Sequence, residues 1–274
     1  MSDPANTPNL QGCQPFTFGG VARIAKSAWW RLLLWQSVAA AVVAASVVWF
    51  LAQDYAPVIN QAIQKMPATA TLQGGQLRGV PERQVSETRF LAIAISTEPA
   101  PGVGEGADLQ VELCQRKVVV SSILRSVCGV LEFDYPQNPI DLSRANLEPR
   151  WGAWRPILLT EAGLGMLLLL LALWTIVAAF YAPPVLLLAW MADRQLSWTQ
   201  AWRLGGASLI PGVPALLIGI GLYGLDLVDL IGFATAVLTY ILIGWVYVAV
   251  SPAFAPRLSP PLSENPFAHP KIEP

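Results

Sequence analysis

The sequence from Asp193 to Pro214 reads DRQLSWTQAWRLGGASLIPGVP and lies between two long apolar segments. The first apolar segment extends from Ile157 to Ala192, and the second extends from Leu209 to Val250 with only two charged residues. An apolar helix of about 20 residues is long enough to cross a bilayer. We therefore interpret Asp193–Pro214 as the cytoplasmic turn of a membrane bundle, which continues into a helix bent by proline.

The charged residues are concentrated in one part of the chain. The 274 residues are 54% apolar and 13% charged, whereas a soluble domain has about 25% charged residues. Of the 35 charged residues, 21 lie between Asp54 and Arg155, and only six lie between Pro156 and Val250. We therefore expect one soluble-like domain inserted in a membrane protein. The net charge of −1 argues against a nucleic-acid partner, which requires a basic surface.

The first predicted span is the uncharged segment Leu32–Ala52. Its 21 residues exceed the apolar core of a signal peptide, which has about 7–15 residues. We therefore predict an uncleaved transmembrane helix at residues 29–52, with Trp29, Trp30 and Trp49 as anchors at the membrane interface.

Basic residues before this span indicate its orientation. Arg23, Lys26 and Arg31 precede it, and an acidic residue follows it. The positive-inside rule therefore places the N-terminal segment, residues 1–28, in the cytoplasm. The stretch Gly19–Trp30 fits either a short interfacial helix or the plain basic flank of the span, and both alternatives remain open.

Residues 53–155 are predicted to form a small α+β domain outside the cytoplasm. A segment of about 100 residues is enough for one domain, and a loop longer than about 60 residues crosses the membrane largely regardless of its charge. Helical spacing, alternation and glycines predict a helix, a short antiparallel sheet and turns. The predicted elements are helix Tyr55–Met66, a turn at Leu72–Leu77, strands Phe90–Ser96, Leu109–Cys114, Lys117–Ser121 and Val130–Tyr135, and a loop at Ala100–Gly106.

Two cysteines lie in this predicted domain. Cys114 and Cys128 are 14 residues apart, at the edges of two predicted strands. An oxidising compartment permits a disulfide, which for such a loop stabilises the domain by about 3 kcal/mol on the chain-entropy model. Two buried free thiols are the alternative. Three cysteines and one histidine in the whole chain argue against a zinc site, and we predict no metal and no cofactor.

The second predicted span, at residues 156–192, is too long for a single straight crossing. Its apolar part would measure about 54 Å as a helix, whereas the bilayer core is about 30 Å thick. Pro183 and Pro184 interrupt the apolar sequence. We predict one long helix that is bent at these prolines and projects into the cytoplasm. In the alternative, Val185–Ala192 is a separate span and the C-terminus is outside.

The rest of the chain predicts two further spans. Ser197 and Gln200 have the spacing of a capping box, which indicates that a helix begins in the cytoplasmic turn. Because proline removes a backbone hydrogen bond, we expect helix breaks or hinges at Pro183 and Pro184 and again at Pro211 and Pro214. The remaining predicted segments are the turn at residues 193–206, spans at 207–225 and 230–250, and a disordered cytoplasmic tail at 251–274.

The predicted fold class is therefore membrane α-helical, with four transmembrane helices, a small α+β extracytoplasmic domain between spans 1 and 2, and both termini in the cytoplasm. Trp151 and Trp154 are further candidates for interface anchors. Glu161 is the only acid within a predicted span and is a weak functional candidate, because intramembrane acids often mark ion paths. The sequence has no histidine-based catalytic triad and no phosphate-binding motif, and we predict that the protein is not an enzyme.

The order of these parts resembles the bacterial membrane family catalogued as domain of unknown function 1189. Leu196–Pro214 is similar to that family's Leu-Ser-aromatic segment, which is followed by Trp-Arg-Leu and a proline before the third span. Leu72–Leu77 resembles its Asn-Gly-Glu-Leu motif at Gly75-Gln76-Leu77, with Gly74 in place of Asn. The resemblance covers Phe16–Ala253, and Leu196–Pro214 is also similar to Yip-type membrane domains.

This resemblance implies a multi-pass protein of the bacterial plasma (inner) membrane and no established activity. Some members of the family are labelled maltodextrin-utilisation proteins. The proline-rich tail and the pair of cysteines depart from the family pattern, so the resemblance supplies no ligand or partner.

Two functions fit these features. The first is a non-enzymatic sensor, accessory or scaffold protein, in which the outside domain binds a ligand and the bundle contacts the bilayer and other membrane proteins. The alternative is a component of a small-molecule transport system, with carbohydrate among its candidate substrates. The expected helix breaks favour this alternative, because interrupted helices often form substrate sites. The small number of polar groups within the spans argues against it.

Overall fold

The computed structural model describes residues 14–80, 83–96, 106–122 and 130–255. Within these ranges, four helical stretches are long and apolar enough to cross a membrane, namely Trp29–Lys65, Arg144–Met191, Trp198–Gly224 and Leu230–Phe254. A small domain with β-strands lies between the first two stretches in sequence. These features confirm the coarse form of the predicted fold class, a helical protein suited to a membrane with one α+β domain.

The elements follow one another in the order that the sequence predicts. The helices are α1 (Phe18–Lys26), α2 (Trp29–Phe50), α3 (Ala56–Lys65), α4 (Arg144–Met191), α5 (Trp198–Ser208), α6 (Val213–Gly224) and α7 (Leu230–Val250). A π-helical turn, Leu51–Tyr55, joins α2 to α3, and 3-10 turns occur at Ile210–Gly212 and Ser251–Phe254. The strands are β1 (Thr71–Gln73), β2 (Gln76–Arg78), β3 (Arg83–Glu87), β4 (Leu91–Ser96), β5 (Leu109–Leu113), β6 (Lys117–Ser122), β7 (Val130–Asp134) and β8 (Ile140–Asp141).

The described residues pack into two compact units. Unit 1 comprises the described residues of Met1–Ala41, Leu169–Leu216 and Ala236–Pro274. Unit 2 comprises those of Val42–Leu168 and Leu217–Thr235, and it contains the whole α+β domain.

Large apolar side chains are exposed along the long helices. Leu169, Phe180 and Trp190 on α4 and Ile231 on α7 are between 61% and 75% exposed. Soluble proteins rarely present contiguous apolar surfaces of this kind to water. The exposure therefore supports a protein whose long helices are surrounded by lipid.

The α+β domain contains two sheets. The smaller sheet has the strand order β2-β1-β8, and the larger has the order β3-β4-β5-β6-β7. All neighbouring strands are antiparallel except β4 and β5, which are parallel. The predicted strands are confirmed to within one or two residues, but the prediction of a purely antiparallel sheet is wrong. The twelve residues between β4 and β5 are long enough for the crossover that a parallel pair requires. Most of the predicted Ala100–Gly106 loop lies outside the described residues.

The predicted glycine turn is a hairpin between β1 and β2. Leu72 pairs with Leu77, and both side chains are buried. Gly74 and Gly75 occupy the two turn positions with φ angles of +57° and +71°. Two consecutive left-handed residues are typical of the type I′ turn, whose twist matches that of the flanking strands.

Helix α4 is a single helix of 48 residues that begins at Arg144, twelve residues before the predicted second span. The boundary at residue 155 between the domain and the span is therefore not a boundary in the secondary structure. The helix continues without interruption through Pro183 and Pro184, so no helix break occurs at these two prolines. All of Val185–Ala192 except its last residue belongs to this helix, as the prediction of one long helix requires.

Helix α1 packs against α5 within unit 1. Its residues Val21, Ile24 and Ala25 are buried, and the Arg203 guanidinium of α5 donates a hydrogen bond of 2.8 Å to the Ser27 carbonyl oxygen. Neither alternative for Gly19–Trp30 anticipated a helix buried against protein. An amphipathic pattern is the same whether its apolar face meets lipid or another helix.

The predicted capping box at the start of α5 is confirmed. The Ser197 hydroxyl accepts from the Gln200 backbone N–H at 3.3 Å, and the Ser197 N–H donates to Gln200 Oε1 at 3.0 Å. The helix then changes to a 3-10 turn at Pro211 and resumes as α6, where Pro214 lies in the first turn. A proline in the first turn loses no helical hydrogen bond.

The turn between α6 and α7 contacts the α+β domain within unit 2. Asp226 forms an ion pair with Arg89, and the Tyr223 hydroxyl donates to the Asp108 carboxylate. The Tyr223 ring also contacts Phe90 edge-on, with ring centroids 4.8 Å apart. These contacts attach the loops beside β4 and β5 to the end of α6.

Candidate functional site

The α+β domain contains an apolar cavity of about 310 Å³. Ligand pockets in proteins have volumes of about 300–1,000 Å³, so this cavity lies at the small end of that range. Its wall presents no polar surface. The cavity lies beside the domain's hydrophobic core, which includes Met66, Leu72 and Ile95.

Helix α3 forms one side of the cavity. Ile59, Ala62, Ile63 and Met66 line it, and their spacing of three or four residues places them on one face of the helix. Val58, which lies outside this lining, is fully buried, and α3 packs against β3 and β4. Besides the residues that pack against the strands, α3 therefore has apolar residues that face the cavity.

The strands and the start of α4 complete the wall. Ile93 and Ile95 alternate along β4, so that both project from the same face of the sheet. Leu113 on β5 stands next to Ile95 in the parallel register. Leu72 on β1 also lines the cavity, and the other contributors come from the chain after β7 and are Tyr135, Pro136, Ile140, Leu142 and Leu147.

Of the wall residues in the described part of the domain, Tyr135 is the one with a polar side-chain group. Its hydroxyl is buried and has no hydrogen-bond partner among the described residues. Burial, followed by the proximity of the Cys114 sulfur, raises the pKa of Tyr135 to about 12. The hydroxyl is therefore protonated at neutral pH and is an unused hydrogen-bond donor close to an apolar cavity.

A second apolar cavity of about 240 Å³ adjoins the junction of α2 and α3. Leu51, Tyr55, Leu158 and Ala162 line it, and Ile59 lines both cavities. Leu51 is the first residue after α2, and Leu158 is exposed on α4. Both residues belong to helical stretches that are apolar enough for a membrane. The two cavities thus share one wall residue between the core of the domain and the ends of the long helices.

The predicted interface tryptophans are not equivalent. Trp29, Trp30, Trp49 and Trp154 are exposed, as expected for side chains at a lipid interface. Trp151 lines the second cavity, and its indole N–H donates a 2.5 Å hydrogen bond to the Asn60 side-chain oxygen of α3. This tryptophan therefore connects α4 with α3 in addition to any contact with lipid.

The other predicted site residues do not converge on one place. Glu161 is exposed on α4 and lines neither cavity, and the prolines lie in α4 and around the 3-10 turn. Within the described ranges, no group of three acidic, cysteine or histidine side chains is arranged to hold a metal ion.

The predicted disulfide is not shown in the structure. Cys114 is a free thiol that is 2% exposed, and burial raises its pKa. Its proposed partner, Cys128, lies outside the described residues. For Cys114 this agrees with the alternative of buried free thiols.

Sequence reasoning identified α3 as amphipathic but did not identify the cavity. The helical pattern indicates which α3 residues point away from solvent, whereas the opposite wall depends on the pairing of β4 with β5. The signal in the sequence is the wide apolar side of α3, in which Val58 is fully buried while Ile59 is half-buried and lines the cavity.

In comparisons with protein-family models, curated proteins and solved structures, nothing matches this chain. The resemblance to the bacterial family described above therefore stays a prediction.

Proposed function

We propose that the protein is a non-enzymatic membrane receptor or accessory protein whose α+β domain binds a small hydrocarbon group, such as an acyl chain. The observation that carries this proposal is the apolar cavity of about 310 Å³, whose wall has no polar surface. Burying apolar surface is favourable by about 25 cal/mol per Å², so a hydrocarbon ligand gains affinity there without any polar contact.

The second cavity supports a ligand that comes from the membrane. It shares Ile59 with the first cavity and is lined by Leu51 and Leu158 from the long apolar helices. An acyl chain that leaves the bilayer along these helices would meet mainly apolar side chains, with Arg155 as the one charged side chain among the described lining residues of the second cavity. Such a route keeps the hydrocarbon out of water.

The location belongs to the same proposal. We place the protein in the bacterial plasma (inner) membrane, with the α+β domain outside, both termini in the cytoplasm and other membrane proteins as its partners. The cations before α2 support this orientation under the positive-inside rule. In a variant without native cysteines, an impermeant maleimide added to intact cells should label a cysteine introduced at Arg78 but not one at Arg194. Labelling of the Arg194 site alone would reverse the orientation.

The transport alternative is supported by the 3-10 interruption between α5 and α6 at Pro211. A carbohydrate substrate would need several hydrogen-bonding groups, and among the described wall residues of the main cavity only Tyr135 carries a hydroxyl. A carbohydrate therefore fits this cavity poorly, and the acyl-chain receptor is the better-supported function.

The binding test uses the full chain in a detergent without alkyl chains, such as digitonin, and dansyl-undecanoic acid as the fluorescent probe. We expect saturable binding of one probe per chain. Ala62→Phe adds a phenyl group to the buried cavity wall and should weaken binding at least tenfold. Ala68→Phe is the matched control, because Ala68 is exposed and lies outside the cavity lining.

The melting temperature of each variant shows whether it folds. Equal probe affinity in the two folded variants, or no saturable binding by the unmodified chain, would contradict the receptor proposal. Binding of maltotriose in place of the probe would favour the transport alternative.

A further inference from the structure

Unit 1 contains a pocket of about 690 Å³ that is separate in sequence and in chemistry from the apolar cavities. It is bordered by the end of α1, the end of α4 and the start of α5. Lys26 and Arg194 line it together with the polar side chains of Ser197 and Gln200, and no acidic residue is found among the described residues of the lining.

The charge of unit 1 favours an anion in this pocket. The described part of unit 1 contains five cations, Arg23, Lys26, Arg31, Arg194 and Arg203, and a single acid, Asp193. Two of the five cations line the pocket itself. An anion that enters the pocket is therefore attracted by the two cations of its lining and by the positive net charge of the described part of the unit.

Local structure holds Arg194 in place. Two residues after the end of α4, Asp193 lies in the left-handed region at φ +54°, and the Arg194 N–H donates to the Ala189 carbonyl oxygen at 2.8 Å. This is the pattern of a Schellman-type helix end. The Arg194 guanidinium donates to the Ala255 carbonyl oxygen, while its buried Nε has no hydrogen-bond partner among the described residues. The side chain is thus fixed in position with donor capacity unused.

The pocket also has an apolar side. Leu186 and Trp190 on α4 line it, and Trp190 is 74% exposed. Both lie on a helix that is long and apolar enough for a membrane. A free inorganic anion would make no use of these side chains, whereas a lipid would place its phosphate at the cations and its acyl chain along Leu186 and Trp190.

We propose that this pocket binds an anionic membrane phospholipid, with the phosphate group held by Lys26 and Arg194. Basic pockets between helices at a membrane surface recognise such headgroups, and each Lys or Arg near an anionic surface contributes substantially to binding. The proposal is independent of the acyl-chain receptor function, since it concerns different residues in the other structural unit.

The test measures lipid binding to the full chain, purified and delipidated in detergent, by native mass spectrometry. The probes are dioleoyl-phosphatidylglycerol, zwitterionic dioleoyl-phosphatidylcholine and inorganic phosphate. We expect phosphatidylglycerol to bind at least tenfold more tightly than phosphatidylcholine. We expect Lys26→Gln to lower the affinity for phosphatidylglycerol about fivefold, and Arg194→Gln to lower it further.

Arg78→Gln is the control, because it removes the same charge from an exposed site in the α+β domain and should leave the affinity unchanged. Lys26 is exposed, so its variant remains informative even if Arg194→Gln fails to fold after losing the bond to Ala255. Equal binding of the two lipids, or equal losses in Lys26→Gln and Arg78→Gln, would overturn the proposal. Inorganic phosphate that competes as strongly as the lipid would also overturn it, in favour of a free-anion site.

Discussion

The contact between α4 and α5 should not tolerate a methyl group at Gly205. A Cβ atom built there lies 2.9 Å from the Tyr181 Cβ and 3.1 Å from the Ala178 carbonyl oxygen. Neither atom is the end of a flexible side chain, so the two helices must move apart. Overpacking of this kind costs about 1–3 kcal/mol, while the higher helix propensity of alanine returns about 0.5–1 kcal/mol. The difference is about 0–2.5 kcal/mol. Because two close contacts occur at once, we expect the upper part of this range, and Gly205→Ala should lower the free energy of unfolding by about 1–2 kcal/mol.

The assay for this contact is thermal unfolding of the full chain in detergent, followed by intrinsic fluorescence. At about 2–4 °C per kcal/mol for a chain of this size, the melting temperature should fall by about 2–8 °C. Gly165→Ala on α4 is the matched control, because a Cβ at Gly165 has no heavy atom within 4 Å. Its melting temperature should be unchanged or slightly higher. Equal melting temperatures for the two variants would refute the close packing of α4 on α5.

Three further predictions concern the α+β domain. The hydrogen bond from the Ser143 backbone N–H lowers the pKa of Asp141 below its ordinary value of 3.8. The ionised Asp141 therefore stabilises the folded state above pH 3.8, and this stabilisation is lost as the pH falls through the lower pKa of the folded state. Asp141→Asn should therefore show a smaller fall in melting temperature than the unmodified protein between about pH 5 and about pH 3. Gly74→Asn should change the free energy of unfolding by less than about 0.5 kcal/mol in denaturant titration, because asparagine tolerates the left-handed φ and a Cβ at Gly74 would meet open space. Gly79→Ala should unfold the hairpin, because its Cβ would lie 2.0 Å from the Thr69 carbonyl oxygen. Tyr135→Phe removes a buried hydroxyl without a partner among the described residues and should leave the melting temperature equal or higher, while a clear fall would reveal a partner for that hydroxyl.

The apolar helices were predictable because a membrane helix needs a continuous apolar sequence. The fourth span was predicted at residues 230–250, and α7 occupies Leu230–Val250. The helix that contains the second predicted span begins at Arg144, before the predicted start of that span. The segment before Pro156 contains charged residues, and hydropathy alone cannot distinguish a polar extension of a helix from a loop.

The pairing of the strands was predictable only in part. The hairpin of β5 and β6 follows from two alternating segments separated by a short turn. The parallel pairing of β4 with β5 brings together segments that are distant in sequence, and no local pattern encodes it. Since Ile95 and Leu113 face the same cavity through this pairing, the candidate site depended on the part of the fold that the sequence does not reveal.

The burial of α1 has a similar explanation. Thr17 caps the helix, and the apolar residues Val21, Ile24 and Ala25 lie on one face. Such a face is equally suited to a membrane surface and to a protein partner. Only the structure shows that α5 is the partner.

The central claim is that the apolar cavity of the α+β domain holds an acyl chain. The most direct measurement is photo-crosslinking of the full chain in membranes with a diazirine-labelled fatty acid, followed by mapping of the adducts by mass spectrometry. We expect adducts on Ile63, Met66 and Leu147 at the cavity wall, and their loss in Ala62→Phe. Adducts confined to exposed residues of the long apolar helices, such as Phe180 and Ile231, would contradict the claim.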